Sequence, residues 1–280
     1  MGEPSITDLE NQASAGDLSA QLTMARTLLD AGQIEPGRNW LRRAAESGST
    51  EIMLALGEQL LANPPYEIAE GVHWTRTAAQ DGSAEAAHRL ALFSAEGVGE
   101  PQSWSGAIVH LRHAAALGHR IAQAELAGLS GNWARARALL DGTGDPVEAD
   151  IPGDAIDISS WLQVRAPRPD LSSPRIFTVP RFLSPGVCDW LIERARPNLR
   201  RAQTFDPRTG GAQVHEGRNH SCIGFNIARS DVVIAIVRAR MALLTGHSHS
   251  GSRTPPSSTI PPASNSPRTT TSSSPARRPP

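Results

Sequence analysis

The first half of the chain repeats itself. Four glycines, Gly16, Gly48, Gly82 and Gly118, follow one another at intervals of 32, 34 and 36 residues. Small or aliphatic residues recur four, eight and nine positions after each glycine. They are Ala20, Ile52, Ala86 and Ala122, then Met24, Leu56, Leu90 and Leu126, then Ala25, Gly57, Ala91 and Ala127. This i, i+4, i+5 spacing predicts one apolar helix face in each unit, with small residues that let a neighbouring helix approach closely.

A second element recurs in each unit. The segments 40–48, 74–82 and 110–118 each begin with a bulky residue, carry Ala-Ala four and five positions later, and end on the repeated glycine. This pattern predicts a second helix that ends at a glycine C-cap. Two helices per period of 32–36 residues predict an α-solenoid, in which helical hairpins stack on one another.

These residues resemble the SEL-one-like repeat, a relative of the tetratricopeptide repeat. The resemblance covers residues 16–140, with three full units and a fourth that ends in a shortened helix at 133–140. It implies a scaffold whose surface binds other proteins or peptides. The alternative is that these helices only support the region that follows. Histidines of this part are expected to be packed or solvated rather than metal ligands: His73, His88, His110 and His113.

The composition changes after residue 140. Residues 141–175 contain many prolines and glycines, which interrupt any long element, and they are predicted to form a linker. A short apolar piece at 158–164 is the part of this linker expected to pack.

Strands and helices then follow in alternation. The sequence predicts strands at 176–179, 203–205 and 221–225, and helices at 185–197 and 231–246. Ser184 before Pro185 is typical of a helix N-cap with proline at the first helical position. Ser230 is expected to cap the second helix, which ends at Gly246.

This region resembles the start of a prolyl-4-hydroxylase-like Fe(II)/2-oxoglutarate oxygenase domain. Residues 180–192, PRFLSPGVCDWLI, look like the family's opening P-x-F-L-S-x-x-x-C-x-x-L-I. Residues 218–221 look like its R-T-x-S segment, and residues 230–246 look like its helix D-x-V-V…R-I…T-G. The resemblance covers 174–246, which implies an incomplete α+β region behind the solenoid, a bacterial domain pairing.

The family's chemistry implies residues that this chain lacks. The family holds Fe(II) with His-x-Asp and a distal histidine, and binds 2-oxoglutarate with a basic residue, usually lysine. The chain has no lysine and no His-x-Asp. No catalytic, cofactor-binding or metal residue and no cofactor are therefore expected, and Arg218 and Ser221 would be substrate-loop residues. Three further residues that could ligate a metal lie close together in sequence: His215, Glu216 and His220. They are interpreted either as a metal site or as loop residues without a ligand.

Two functions follow from the two resemblances. The first is a protein-binding repeat scaffold attached to an incomplete, inactive dioxygenase region. The alternative is a prolyl-4-hydroxylase-like enzyme that hydroxylates a protein or peptide recruited by the repeats, with its metal-bearing core lost from this sequence. Without that core, aromatic residues of the second region are expected to form an exposed apolar patch and to favour local unfolding. They are Phe177, Phe182, Trp190, Phe205 and Phe225.

The last 34 residues, 247–280, contain 23 serines, threonines and prolines. Such a segment buries too little apolar surface to offset its ordering entropy, so it is predicted to be disordered. The composition switches abruptly after Gly246, which suggests a truncation or a frameshift in a GC-rich gene.

Net charge, cysteine content and targeting signals limit the partners and the cellular location that can be expected. Residues 1–160 carry a net charge of −12, residues 161–246 carry +7 and the tail carries +4, for a total of −1. The basic part lacks interleaved aromatic residues, so no nucleic-acid partner is predicted. Two cysteines form no disulfide framework, and neither a secretory signal nor a membrane span is recognisable. A cytoplasmic protein is expected, with a leader at 1–15, repeats at 16–140, a linker at 141–175, a partial oxygenase region at 176–246 and a tail at 247–280.

Overall fold

The structure, a computed structural model, describes residues 6–145, 156–171, 176–206, 211–214, 220–226 and 229–246. Residues 6–145 fold into consecutive helices that pack mainly against their neighbours along the chain. They are α1 (Ile6–Ser14), α2 (Leu18–Asp30), α3 (Ile34–Ala45), α4 (Thr50–Ala62), α5 (Ile68–Gln80), α6 (Ala84–Glu96), α7 (Trp104–Ala116), α8 (Arg120–Leu129) and α9 (Trp133–Leu140). None of the helices in the described ranges is long and apolar enough to cross a lipid bilayer.

The repeated glycines end the second helix of each hairpin, as predicted. Gly16, Gly48, Gly82 and Gly118 have φ angles from +85° to +96°. A residue with a Cβ is strained in this left-handed region, whereas glycine adopts it readily. The glycine spacing therefore marks the points at which the chain reverses between units.

The repeated small and aliphatic positions form the core of the stack. At the position four residues after the glycine, and again at eight residues after it, the side chains are at most 8 % exposed in all four units. A Cβ at Gly57 of α4 would lie 2.7 Å from Thr75 Oγ1 and 2.9 Å from the Gly71 carbonyl of α5. The small residues thus permit close helix contact, and the predicted α-solenoid is confirmed.

Residues 6–14 of the segment assigned to the leader form α1. This helix packs on α2, where Ala13 lies in a small buried cluster with Ala20 and Met24. The Gln21 side-chain amide also donates to the Ala13 carbonyl at 3.1 Å. Helix α1 therefore belongs to the helical stack.

Arg38 of α3 links the first two repeats although its side chain is fully buried. Its Nη2 donates to the carbonyls of Gln59 and Asn63, at 2.9 and 2.7 Å, where α4 ends. Its Nη1 donates to the Pro65 carbonyl at 2.8 Å and lies 3.3 Å from Glu67 Oε1. A guanidinium here satisfies helix-terminal carbonyls that have no intrahelical partner.

The region after the solenoid alternates short strands with helices. Its elements are α10 (Ile158–Leu162), β1 (Arg168–Leu171), β2 (Ile176–Thr178), α11 (Pro185–Ala195), β3 (Arg200–Arg201), β4 (Gln203–Asp206), β5 (Gly211–Val214), β6 (Ser221–Cys222) and α12 (Val232–Thr245). The strands form three antiparallel two-stranded ribbons, β1–β2, β3–β6 and β4–β5. The predicted strands correspond to β2, β4 and β6 and the predicted helices to α11 and α12, whereas β1, β3 and β5 were not predicted. The predicted disordered tail lies outside the described residues.

One predicted N-cap is confirmed and one is wrong. The Ser184 hydroxyl accepts the Val187 N–H at 3.4 Å and caps α11. Helix α12 is capped by Asp231, whose Oδ1 accepts the Ile234 N–H at 2.9 Å, and not by Ser230. Ser230 Oγ lies 3.4 Å from the carbonyl of the preceding loop residue Phe225 and donates to it. The backbone enters the helix one residue later than the sequence suggested, so the aspartate occupies the capping position.

Helices α10 and α11 pack on the last repeat rather than standing apart. Trp133 of α9 contacts Trp161 of α10 and Trp190 of α11 edge to face, with ring centroids 6.0 and 6.3 Å apart. Trp161 Nε1 donates to the Leu129 carbonyl at 3.1 Å. Part of the predicted linker is therefore ordered against the solenoid.

The expected exposed aromatic patch is wrong for Trp190, which is only 2 % exposed. Trp190 and Val187 of α11 join the same buried core as the repeat residues, together with Val232, Val233 and Ile236 of α12. Phe177 is exposed, Phe182 and Phe225 are half-buried, and the side chain of Phe205 lies outside the described set. The repeats provide the apolar surface that the sequence interpretation assigned to a missing core.

Candidate functional site

A cluster of ionisable side chains with a buried centre lies where α6, α8, α11 and α12 meet. We call it the polar junction. Its members are Glu85, His88, His119, Glu125, Arg194 and Asp231. Glu125 and Asp231 are completely buried. Such burial of a carboxyl group is costly unless hydrogen bonds or charges compensate it.

Glu125 of α8 binds the N-terminus of α12. Its Oε2 accepts the N–H groups of Val232 and Val233, at 2.7 and 3.3 Å, across a separation of more than 100 residues. The first turn of a helix has N–H groups without intrahelical partners and carries a partial positive charge. The repeat array thus supplies a cap to a helix of the other region.

Asp231 caps the same helix and binds α11. While its Oδ1 accepts the Ile234 N–H, its Oδ2 accepts the Trp190 indole N–H at 3.2 Å and the Arg194 Nε–H at 3.0 Å. One carboxylate therefore fixes α11 against α12. Together with Glu125 it ties both helices to the solenoid.

Two stacked histidines complete the junction. The rings of His88 and His119 lie 4.3 Å apart with an angle of 23° between their planes. His88 Nε2 lies 2.5 Å from Glu125 Oε1, and His119 Nε2 lies 2.8 Å from Glu85 Oε2. His119 Nδ1 accepts the Ala122 N–H at 3.1 Å and so caps α8.

Burial sets the protonation of the inner residues. It raises the pKa of Glu125 to about 7, and burial and the nearby Glu125 carboxyl raise the pKa of Asp231 to about 6. Burial lowers the pKa of His88 to about 4, so this imidazole is neutral near pH 7. The hydrogen bond from His119 lowers the pKa of the half-exposed Glu85 to about 2. The junction therefore holds one ionised outer carboxylate and two inner carboxyls that resist ionisation.

Glu85, His88 and His119 each place a ligand-type atom within 4.8 Å of the others, a spacing that a shared cation would require. Two features of the geometry oppose it. Because His119 Nδ1 accepts an N–H, the proton of a neutral ring is on Nε2, which then has no free lone pair for a metal. An imidazole also binds a metal in its ring plane, and stacked rings do not share one plane. The arrangement is suited to hydrogen bonding between helices.

The residues singled out from the sequence lie elsewhere. Ser221 is exposed in β6, opposite Arg201 of β3. His220 is also exposed, and its carbonyl accepts the Ala202 N–H at 3.0 Å. Arg218, together with His215 and Glu216 of the alternative metal site, lies outside the described residues. Of these sequence-predicted residues, the two that the structure describes, Ser221 and His220, lie outside the polar junction.

The sequence interpretation missed the main residues of the junction. His88 is packed, as expected, but Glu125 and His119 were not singled out. The available signal was a glutamate between Ala124 and Leu126, within an alanine-rich helix at 120–129. Its buried position could be suspected from that pattern, whereas its partner could not.

No protein-family model matches the chain, and no curated protein matches it. Among solved structures, it is similar to a Sel1 repeat protein from Oxalobacter formigenes, with 28% identity and a TM-score of 0.37, over 44% of this chain and 97% of that chain. It is also similar to c5321, a protective antigen of uropathogenic Escherichia coli strains that displays an SLR fold. That match has 22% identity and a TM-score of 0.43, over 57% of this chain and 35% of that chain.

Proposed function

We propose that the chain is a protein-binding helical-repeat scaffold, and that the face formed by α2 and α4 binds an amphipathic helix of a partner protein. The observation that supports this is the way α12 lies across α6 and α8. Ala235 of α12 packs against Leu92 and Ala95 of α6, and Arg238 Nη1 donates to Glu96 Oε1 at 2.6 Å. The first helices of two adjacent repeats thus already hold a helix.

The same surface continues onto the first two repeats. His88, Leu92 and Glu96 lie 6, 10 and 14 positions after the repeated glycine of their unit. The equivalent residues are Leu54, Glu58 and Ala62 in α4, and Leu22, Arg26 and Asp30 in α2. The side chains of Arg26, Asp30 and Glu58 are 85 %, 76 % and 43 % exposed.

The chemistry of this face suits a helix like α12. Half-buried Leu22 and Leu54 offer apolar contacts, and the exposed Ala55 and Ala62 allow close approach. Charged residues border these contacts, as Glu96 does beside α12. A partner helix with small apolar residues on one side and charges at its edges fits this pattern.

Selection from a displayed library of amphipathic helices, with the full chain as bait, tests the proposed face. Arginine at Ala55 or Ala62 fills the contact surface, so Ala55→Arg and Ala62→Arg are expected to weaken selected helices at least tenfold. Ala69→Arg is the matched control, because Ala69 is an exposed alanine on α5. Fluorescence polarisation measures the affinities. If all three variants bound as tightly as the natural chain, or if all three lost affinity to the same extent, binding would not use this face.

The ancestry of residues 176–246 is a separate proposal. We infer that this segment is an incomplete prolyl-4-hydroxylase-like region that is inactive in this chain. The inference rests on the motifs at 180–192 and 230–246 and on the matching order of strands and helices. The residues present do not fit Fe(II) and 2-oxoglutarate, because His-x-Asp and lysine are missing from the sequence.

Purified chain supplied with Fe(II) and 2-oxoglutarate is expected to form no succinate above a protein-free control. The physical reason is the lack of the three facial metal ligands and of the usual anchor for the distal carboxylate. Succinate and residual 2-oxoglutarate are measured by chromatography. Turnover that exceeds one equivalent per chain would contradict the assignment without affecting the proposed binding face.

A further inference from the structure

We propose that docking of α11 and α12 onto the last repeats is coupled to the uptake of a proton by the polar junction. The C-terminal helix pair would then be held more tightly below neutral pH than above it. Glu125 is the group that takes up the proton, in contact with His88. This makes the junction a proton-sensitive latch between the solenoid and the region that follows.

The charges of the inner junction carry the first step. With both carboxyls ionised, Glu125 and Asp231 bring two negative charges to the N-terminus of a single helix. Arg194 supplies one positive charge and bonds Asp231 at 3.0 Å. His88 is neutral near pH 7 because it is buried. One negative charge therefore remains in excess inside a fully buried contact, where it is poorly solvated.

The charged groups around this centre do not offset the excess. On α6, Arg89 bonds the carboxylates of Glu58 and Glu85 at 3.2 and 3.0 Å, so its charge is already shared. Glu85 also accepts from His119 at the start of α8. On α12, Arg238 is paired with Glu96. The groups that face the inner carboxyls from all four helices are Glu85, His88, Arg89, His119, Glu125, Arg194 and Asp231.

A proton fits the junction without the loss of a hydrogen bond. Glu125 Oε1 lies 2.5 Å from His88 Nε2. With the single proton of the neutral ring on Nδ1, Nε2 is an acceptor, and the added proton sits on Oε1 and is donated to Nε2. Glu125 Oε2 meanwhile keeps the N–H groups of Val232 and Val233. Proton uptake thus removes the excess charge and leaves the cap of α12 intact.

The direction of the pH effect follows from the docked and undocked proton affinities. Burial raises the pKa of Glu125 from 4.5 to about 7, so between these values the docked state binds more protons and docking weakens as pH rises. Asp231, raised from 3.8 to about 6, acts in the same direction. His88, lowered from 6.5 to about 4, acts in the opposite direction between those values. With two carboxyls against one imidazole, docking tightens on acidification.

Hydrogen exchange of the α12 amides in the full chain tests the latch, after correction for the intrinsic exchange rate at each pH. Protection is expected to rise about fivefold from pH 8.5 to pH 6. Glu125→Gln keeps an acceptor for α12 but cannot titrate, so this increase should vanish. Glu96→Gln is the matched control, because it weakens the Arg238 contact and leaves the increase in place.

A second variant covers the case in which Glu125→Gln does not fold. His88→Gln removes the opposing titration, so the rise in protection from pH 8.5 to pH 6 should grow to about twentyfold. Equal protection of the natural chain at both pH values would overturn the proposal. So would an unchanged increase in Glu125→Gln, or an unchanged or smaller one in His88→Gln.

Discussion

Gly186→Ala is expected to destabilise the chain by about 2–3 kcal/mol, although alanine is the better helix former by about 1 kcal/mol. Gly186 lies in the first turn of α11, next to the indole of Trp133. A Cβ at this position would lie 2.2–2.5 Å from three atoms of that indole. The ring cannot retreat freely, because a Cβ at Gly128 on α8 would also lie only 2.5 Å from it.

Helix propensity predicts that Gly186→Ala stabilises the chain, whereas packing against Trp133 predicts that it destabilises the chain. The sign of the measured change therefore shows whether α11 packs on Trp133. Urea unfolding followed by circular dichroism measures the change. Cys188→Ala, at an exposed position of the same helix, should change stability by less than about 0.5 kcal/mol. Trp133→Leu combined with Gly186→Ala should recover part of the loss, since the smaller side chain leaves room for the methyl group. A stabilised Gly186→Ala chain would mean that α11 does not rest on Trp133.

Asp231→Ala is expected to cost about 3–5 kcal/mol, the range for breaking a buried charged pair. The substitution leaves the Arg194 guanidinium and the Trp190 indole N–H without their carboxylate partner. It also removes the acceptor for the Ile234 N–H at the start of α12. Denaturant unfolding that monitors tryptophan fluorescence should report the loss directly, because Trp190 is buried beside Asp231.

Ser230→Ala is the matched control for this prediction. Ser230 is equally buried and adjacent, but the hydrogen bond of its hydroxyl to the Phe225 carbonyl is long, at 3.4 Å. Its removal should cost about 1 kcal/mol. If Ser230→Ala were as harmful as Asp231→Ala, or more so, the helix would be capped by the serine that the sequence pattern favoured.

Local signals predicted local structure well. The glycine spacing placed the ends of the repeat helices, because a positive φ is a property of the residue itself. Ser184-Pro185 placed the start of α11 for a similar reason, since proline presets the first helical φ. The prediction that Ser230 caps α12 was wrong because Ser230 and Asp231 are adjacent and both residue types are good N-caps. Only the path of the backbone selects between them.

These local sequence signals could not predict contacts between segments that are distant in the chain. Nothing in the local pattern shows that Arg38 reaches the end of α4, or that Trp133 lies against Gly186. The expectation of an exposed aromatic patch failed at Trp190 for the same reason, whereas Phe177 is exposed. It assumed that the apolar faces of α11 and α12 needed a core from their own domain, whereas the last repeats cover them.

The sequence by itself determined the solenoid. Its period, its helix faces and its turns all follow from residue size and backbone freedom repeated every 32–36 positions. Only the tertiary structure decided the polar junction. Glu125 and Val232 are 107 residues apart, and a carboxylate becomes a helix cap only when the fold brings it to that terminus and excludes water. The sequence specifies which residues carry charge, and the tertiary structure determines which of them are buried together.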